Sequence, residues 1–241
     1  MIGSDLPDLT PGAHHFLATW GKRLVRPVAV IPSYVPDHVR DAIVSHEQEF
    51  GGIAFPVLGG ELEGWLECGV KSRKPWRSGA GEWVFHFADP QFVQCALVCR
   101  ADGCFGVSWS EEFLPWHADA RGLIEASALW ADLIGWRKST LRDGDPNEVL
   151  NALDGVGSLV KAEYASSRET SWWLGDGVAL YVEPYLTHLP EGATRVHVMT
   201  SDPEAHQRVM RALEAVRKPG VDLMAWPVEG CVLAPEECPF G

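Results

Sequence analysis

Basic charge is scarce in this chain: 20 Lys and Arg stand against 33 Asp and Glu, a formal net charge of −13 over 241 residues. That deficit disfavours non-specific nucleic-acid binding, which depends on cations neutralising phosphates. It equally disfavours docking to an anionic lipid surface. Long apolar runs are missing as well. The longest, around Phe92–Cys99, is far too short to span a bilayer, and the opening residues MIGSDLPDLTPG carry neither a basic n-region nor an apolar h-region. The six cysteines, Cys68, Cys95, Cys99, Cys104, Cys231 and Cys238, form no Cys-x2-Cys pair and are too sparse for a disulfide framework. A soluble cytoplasmic protein with reduced thiols is the expectation. Cys95 and Cys99 share one strand face, where cysteine acts as a small apolar group.

What the chain does contain is apolar substance, with 46% hydrophobic residues and 11 tryptophans. That is enough for one large domain or two small ones with a sizeable core. The best-punctuated stretch is Asp37–Gly52, an amphipathic helix with Val39, Ile43 and Phe50 on one stripe and Val44 beside it. Pro36 and Asp37 suit its first turn. Gly51 is expected to take the left-handed conformation that stops the helix, and Gly52 to free the chain for the next strand.

Before this helix, residues 1–12 read as a flexible tail and His14–Val25 as a short helix. After it, strands are expected at Ile53–Leu58, Leu62–Cys68, Glu82–Phe87, Phe92–Arg100 and Cys104–Trp109, with Ala101-Asp102-Gly103 turning a hairpin. Glu111–Trp116 reads as a strand or loop, and Asp119–Ile134 as a helix. Residues 13–138 therefore form an α+β domain with a mostly antiparallel sheet flanked by helices. A break is expected over Lys138–Pro146, with Arg142-Asp143-Gly144-Asp145-Pro146 as the linker, followed by a second, smaller and more acidic α+β unit over 145–241. Its helix starts are Asp145-Pro146-Asn147-Glu148 and Ser201-Asp202-Pro203-Glu204. Its strands are expected at Leu159–Ala165, Trp172–Leu174, Val178–Glu183, Arg195–Met199 and Val221–Trp226.

Catalytic motifs are largely missing. Gly106-Val107-Ser108-Trp109-Ser110 resembles a nucleophile elbow only superficially, since Ser108 falls in a strand rather than at a strand-to-helix corner. No P-loop or dinucleotide fingerprint follows a strand. His14, His15, His86, His117, Asp119 and His188 lack metal-ligand spacing, so no metal or cofactor is expected. Glu61, Glu63 and Glu67 alternate onto one strand face, and Glu111-Glu112 forms a second acidic pair. Each is a candidate for acid–base work, but reads first as solvated surface, with a partner-facing acidic patch as the further alternative. Trp76, set in the basic loop Lys71–Gly81, reads as an exposed aromatic anchor for a protein partner.

The helix ending Glu49-Phe50-Gly51-Gly52, the Ala101-Asp102-Gly103 hairpin and Leu123–Trp130 in the closing helix together resemble the SUKH superfamily. These are bacterial immunity-type domains related to fungal cell-wall regulators. The likeness covers about residues 30–136 and leaves the C-terminal unit without a counterpart. The resemblance implies an α+β domain that binds other proteins without catalysis. Many such proteins neutralise a cognate toxin, often a nuclease or deaminase. The expected function is thus a non-enzymatic, toxin-binding immunity protein acting through an acidic surface, with Glu61, Glu63, Glu67, Trp76, Glu111 and Glu112 as candidate contacts. Phe50, Gly51, Gly52 and Gly103 are expected to serve structure. The competing expectations are an enzyme with Glu111, His117 or Asp119 in a cleft between the two units, and an intracellular regulatory scaffold.

Overall fold

The computed structural model describes residues 6–26, 30–59, 64–70, 74–90, 95–109, 112–142, 144–184, 194–217 and 223–226. The expected strand starts at Leu62 and Phe92, and the strand beginning at Val221, fall partly outside them. The fold class is α+β, with two antiparallel sheets. Two compact units divide between Ala131 and Asp132.

The first unit opens with α1 (Pro11–Trp20), which begins earlier than the sequence pattern suggests. Thr10 caps it, its hydroxyl accepting from the Ala13 N–H at 3.2 Å, and Pro11 occupies the first turn where an N–H is not needed. The expected tail is also not free of structure, since Leu6 and Leu9 are buried. After β1 (Lys22–Arg23) comes α2 (Asp37–Phe50), which buries Val39, Ile43 and Phe50 as its stripe requires. Strands β2 (Ile53–Val57), β3 (Gly64–Cys68), β4 (Trp76–Arg77), β5 (Trp83–Pro90), β6 (Ala96–Arg100), β7 (Phe105–Trp109) and β8 (Glu112–His117) complete the sheet. Their order is β1-β2-β3-β5-β6-β7-β8, with β4 paired to β5. Trp76 therefore belongs to a short strand opposite Val84 instead of the loop expected for it.

Aromatic rings fill the space between α2 and this sheet. His46 stands 5.6 Å from Phe85 and 5.4 Å from Phe87, and Phe50 meets Phe87 edge-on at 6.0 Å. Phe87 in turn meets Phe105 at 6.1 Å, and Phe105 meets Trp116 at 6.3 Å. The two edge-to-face pairs among these, Phe50–Phe87 and Phe87–Phe105, add to the burial itself. The closing helix α3 (Ala120–Asp132) is buried all round from Leu123 to Trp130, as its nearly continuous apolar sequence requires.

The second unit carries β9 (Arg137–Arg142), α4 (Pro146–Ala152), β10 (Val160–Lys161), β11 (Ser171–Gly175), β12 (Val178–Pro184), β13 (Thr194–Thr200), α5 (Pro203–Val216) and β14 (Leu223–Trp226). The first half of the expected break is not a break: Arg137–Arg142 is a strand. It pairs with β13 on one side and β14 on the other, giving the order β10-β11-β12-β13-β9-β14. Both expected helix starts are present. Asp145 Oδ1 accepts from Asn147 N–H at 2.8 Å, and Asp202 Oδ1 accepts from Glu204 and Ala205 N–H at 2.8 and 2.9 Å. Val149 and Leu153 with Ala205, Val209 and Leu213 pack on Leu141, Val178, Leu180, Val182, Val196 and Val198. Leu159–Ala165, expected as one strand, is β10 followed by a tight turn at Glu163–Ala165.

The stop of α2 differs in detail from expectation. Gly51 has φ −54° and is not left-handed; Gly52, at φ +79°, is. A Cβ on Gly51 would instead run into the Glu47 carbonyl oxygen, and one on Gly52 into the Leu24 carbonyl oxygen. Gly81 has nearly the same backbone, φ +80°, with nothing within 4 Å of a Cβ. Gly81→Ala should therefore cost only the left-handed penalty of about 1–2 kcal/mol. Gly52→Ala should cost clearly more, because the clash adds to it. Thermal unfolding of the two variants separates the terms, and equal midpoints would show that the contact with Leu24 is relieved at no cost.

Candidate functional site

The C-terminal half of α2 stands at the centre of a network of charges in the first unit. Arg26, in the segment after β1, places its Nε 2.9 Å from Glu67 Oε1, and its Nη1 donates to the Cys68 carbonyl at 2.7 Å. Glu47 Oε2 accepts from the Val70 N–H at 2.6 Å. Both side chains of the Arg26–Glu67 pair are only 13% exposed. Glu67, expected to face a partner, is therefore engaged within the fold. The burial of the Cys68 thiol pushes its pKa upward, so this cysteine is an inert apolar group rather than a nucleophile.

A second group gathers where β8 runs into α3. Arg121 pairs with Glu49 and lies 3.6 Å from Asp119 Oδ2 and 3.8 Å from Asp8 Oδ2. Its guanidinium also stands 5.8 Å over the Phe50 ring. One cation thus holds the N-terminal segment, α2 and the start of α3. Asp119 also accepts from the Gly122 N–H at 2.9 Å, which caps α3. Glu125 on α3 accepts from the Thr10 N–H at 2.6 Å and from the Thr10 hydroxyl at 2.7 Å, tying α1 to α3. These carboxylates orient elements.

His117 ends β8 with its ring 4.7 Å from Trp116. It is 2% exposed, and Nε2 finds no hydrogen-bond partner among the described residues. Burial drives its pKa down to about 3, so the imidazole is neutral and a poor proton carrier near neutral pH. His46 is shifted the same way, first by burial, with Asp119 opposing and Arg121 assisting. His117 and Asp119, weighed as catalytic from sequence, come together here. One is a buried neutral ring and the other a helix cap.

The second unit holds a polar chain that the sequence reading missed. On the sheet face opposite α4 and α5, Thr140, His197, Tyr181 and Trp172 lie side by side in register. Glu183 Oε1 accepts from His197 Nε2 at 3.0 Å, leaving Nδ1, 2.9 Å from Thr140 Oγ1, to accept from that hydroxyl. Trp172 stacks on Tyr181 at 4.5 Å, and Tyr181 on His197 at 5.9 Å. Hydroxyl, imidazole and carboxylate in this order match the roles of a nucleophile, base and orienting acid. Here all three are interior, at 6%, 2% and 0% exposure, and Glu183 Oε2 is buried without a hydrogen-bond partner among the described residues. Burial lowers the His197 pKa despite Glu183, with Lys138 and Arg195 acting in the same direction. The available signal was His197 itself, set between two core-facing valines and therefore on the opposite face of the strand.

Of the remaining expected residues, Glu61, Glu63 and Glu111 lie outside the described residues. Glu112 is exposed at the start of β8, opposite Trp109. Trp76 is half-buried, and Arg77 beside it lies 5.0 Å over the Trp83 ring. Phe50 is fully buried. Gly103, at φ +98°, closes the hairpin by donating to the Arg100 carbonyl at 2.9 Å. Asp102 in that turn grips Arg100, whose hydrogen bond holds the carboxyl below its ordinary pKa. No group of three or more His, Cys, Asp or Glu among the described residues is placed to hold a metal ion. No described helix is long and apolar enough to cross a membrane. Set against known proteins, the chain matches no family model, no curated protein and no solved structure.

Two outcomes follow from the ties. Glu67→Ala strands Arg26 in a mostly buried position and should cost roughly 3 kcal/mol, whereas the double variant Arg26→Met/Glu67→Leu should recover most of the loss. Chemical denaturation decides between them, and an additive double variant would mean that the pair is not coupled. The histidines set an acid limit. With the folded pKa of His117 at about 3 and the unfolded value at 6.5, its contribution is complete above pH 6.5. It is lost as pH falls through that window, because only the unfolded chain takes up the proton. The slope is ~1.4 kcal/mol per pH unit for each such group. His117→Gln should be less stable than wild type at pH 7.5 and approach it by pH 4; parallel pH profiles would contradict a buried neutral ring.

Proposed function

We infer that this chain is a non-catalytic protein-binding module of the immunity type, acting through its negative surface on a basic partner such as a nuclease- or deaminase-type toxin. The observation that carries this reading is the division of the carboxylates. Glu47, Glu67, Glu125 and Glu183, all wholly or largely buried, each hold a backbone N–H, a cation, a hydroxyl or an imidazole of the chain itself. The exposed acids, including Asp37, Asp41, Glu112, Glu148, Asp154, Glu163, Asp176, Asp202, Glu204 and Glu214, occur in both units. Together they clothe a chain of net charge −13. A surface of one sign steers a partner of the other sign and raises its association rate in a salt-dependent way. The α2–antiparallel sheet–α3 arrangement of the first unit is of the α+β kind that the SUKH resemblance implies.

The test is co-expression with nuclease- and deaminase-type toxins, beginning with any such product of a neighbouring gene. Restored growth, together with a complex whose association rate falls steeply between 50 and 500 mM salt, is the expected result. Loss of both binding and rescue overturns the reading.

A further inference from the structure

The segment before α1, Leu6-Pro7-Asp8-Leu9-Thr10, is held to the fold by side chains rather than by main-chain pairing. Leu9 N–H donates to the Leu6 carbonyl at 3.3 Å, closing a four-residue turn. Pro7 takes its first inner position, where a fixed φ favours it. Pro7 and Asp8 at the tip are exposed, whereas Leu6 and Leu9 at the corners are buried, at 0% and 6% exposure. Among the described residues, the only other main-chain hydrogen bond of this segment runs from His14 N–H to the Thr10 carbonyl, at the start of α1. No described strand of either sheet pairs with it.

Helix α3 receives this turn. Arg121 and Glu125 are four residues apart and share one face of that helix. Both Glu125 oxygens meet the segment: Oε1 accepts from the Thr10 N–H at 2.6 Å and Oε2 from the Thr10 hydroxyl at 2.7 Å. Glu125 is 3% exposed, and a carboxylate so placed needs both donors. Arg121, paired with Glu49 and lying over Phe50, comes within 3.8 Å of Asp8. Two apolar corners, one acid at the tip and one N–H with its hydroxyl are therefore read together.

We propose that this face of α3 is a recognition site for a short turn of the pattern apolar-Pro-Asp-apolar-Ser/Thr. The chain's own residues 6–10 fill it as an autoinhibitory strap, and a partner's segment of the same pattern takes it when the strap lifts. The seated segment defines the ligand. A Lys in the place of Asp8 would face Arg121, and a proline in the place of Thr10 would deny Glu125 both donors. A segment with no sheet pairing belongs to the part of a fold that opens at low free energy. While tethered, it competes at an effective concentration on the order of millimolar, so a segment in trans succeeds once the strap is weakened. The site selects by pattern, goes beyond the charge-steered reading above, and stands or falls without it.

The probe is a fluorescein-labelled synthetic peptide of residues 4–12, SDLPDLTPG, titrated into the full chain carrying Leu6→Ser/Leu9→Ser and followed by anisotropy. This variant should bind the peptide at least 10-fold tighter than the wild-type chain does. It should not bind the peptide made with the same two serines. Adding Glu125→Gln should weaken binding at least 5-fold. Adding Arg121→Gln should weaken it about 2-fold, since its contact with Asp8 is long and partly solvated. A variant that is folded by circular dichroism and takes up no peptide, or binds both peptides alike, overturns the proposal. Amide hydrogen exchange of the wild-type chain tests the strap without any substitution, and decides the matter if the serine variant does not fold. The Thr10 amide should exchange at least 100-fold faster than the slowest amides of β5 and β6. Exchange at the same rate as those strands would mean that the segment leaves only on global unfolding, and would overturn the strap.

Discussion

The first unit depends on the turn by which α2 hands the chain to the sheet. Gly52 must be left-handed there, with its N–H donating to the Cys68 carbonyl and its carbonyl accepting from Leu24. That geometry admits no side chain, because the Leu24 backbone occupies the place of a Cβ. Around the turn the charges complete the join. Arg26 reaches the Cys68 carbonyl and Glu67, and Glu47 reaches the Val70 N–H, so helix, edge segment and strand meet through short polar contacts. The aromatic layer from His46 and Phe50 to Trp116 packs on the helix that this turn joins to the sheet. A single backbone conformation thus sets the position of much of the core.

The interior polar groups follow one rule in both units. A buried carboxylate without a partner is costly, and each of the four discussed here has one. In the first unit the partners belong to different elements, so the carboxylates act as ties: Glu125 to Thr10, Glu67 to Arg26 and Glu49 to Arg121. In the second unit the partners lie on neighbouring strands, so Glu183, His197 and Thr140 form a chain across the sheet. Such arrangements favour one register over its slipped alternative, because a shift of one residue would bury each group unpaired. The resemblance of the Thr140–His197–Glu183 chain to catalytic machinery is one of order and not of access.

Much of the architecture was legible because it is local. Val39, Ile43 and Phe50 recur at the helix period, Asp145-Pro146 and Asp202-Pro203 announce helix starts, and Ala101-Asp102-Gly103 announces a hairpin. Each signal is contained within a dozen residues. The errors occurred where distant residues decide. Lys138–Arg142 looked like the start of a break because it is polar at both ends and leads into Gly and Pro. It becomes a strand between two strands that come more than fifty residues later. Thr10 looked like part of a tail because its partner, Glu125, lies on the far side of the first sheet in sequence. Glu67 looked like surface because alternation cannot reveal that Arg26 covers it.

The sequence by itself determined the fold class, the positions of most helices and strands, and the negative charge that any partner must meet. These depend on periodicity, on turn chemistry and on composition, which are written into neighbouring residues or into their sum. Only the tertiary structure decided which acids remain outside and which are drawn in, because ionic and hydrogen-bond partners are chosen by packing. It also decided that Gly52, and not Gly51, carries the left-handed turn. The two glycines are alike in sequence, and only the folded backbone distinguishes them, Gly51 lying against the Glu47 carbonyl and Gly52, left-handed, against that of Leu24.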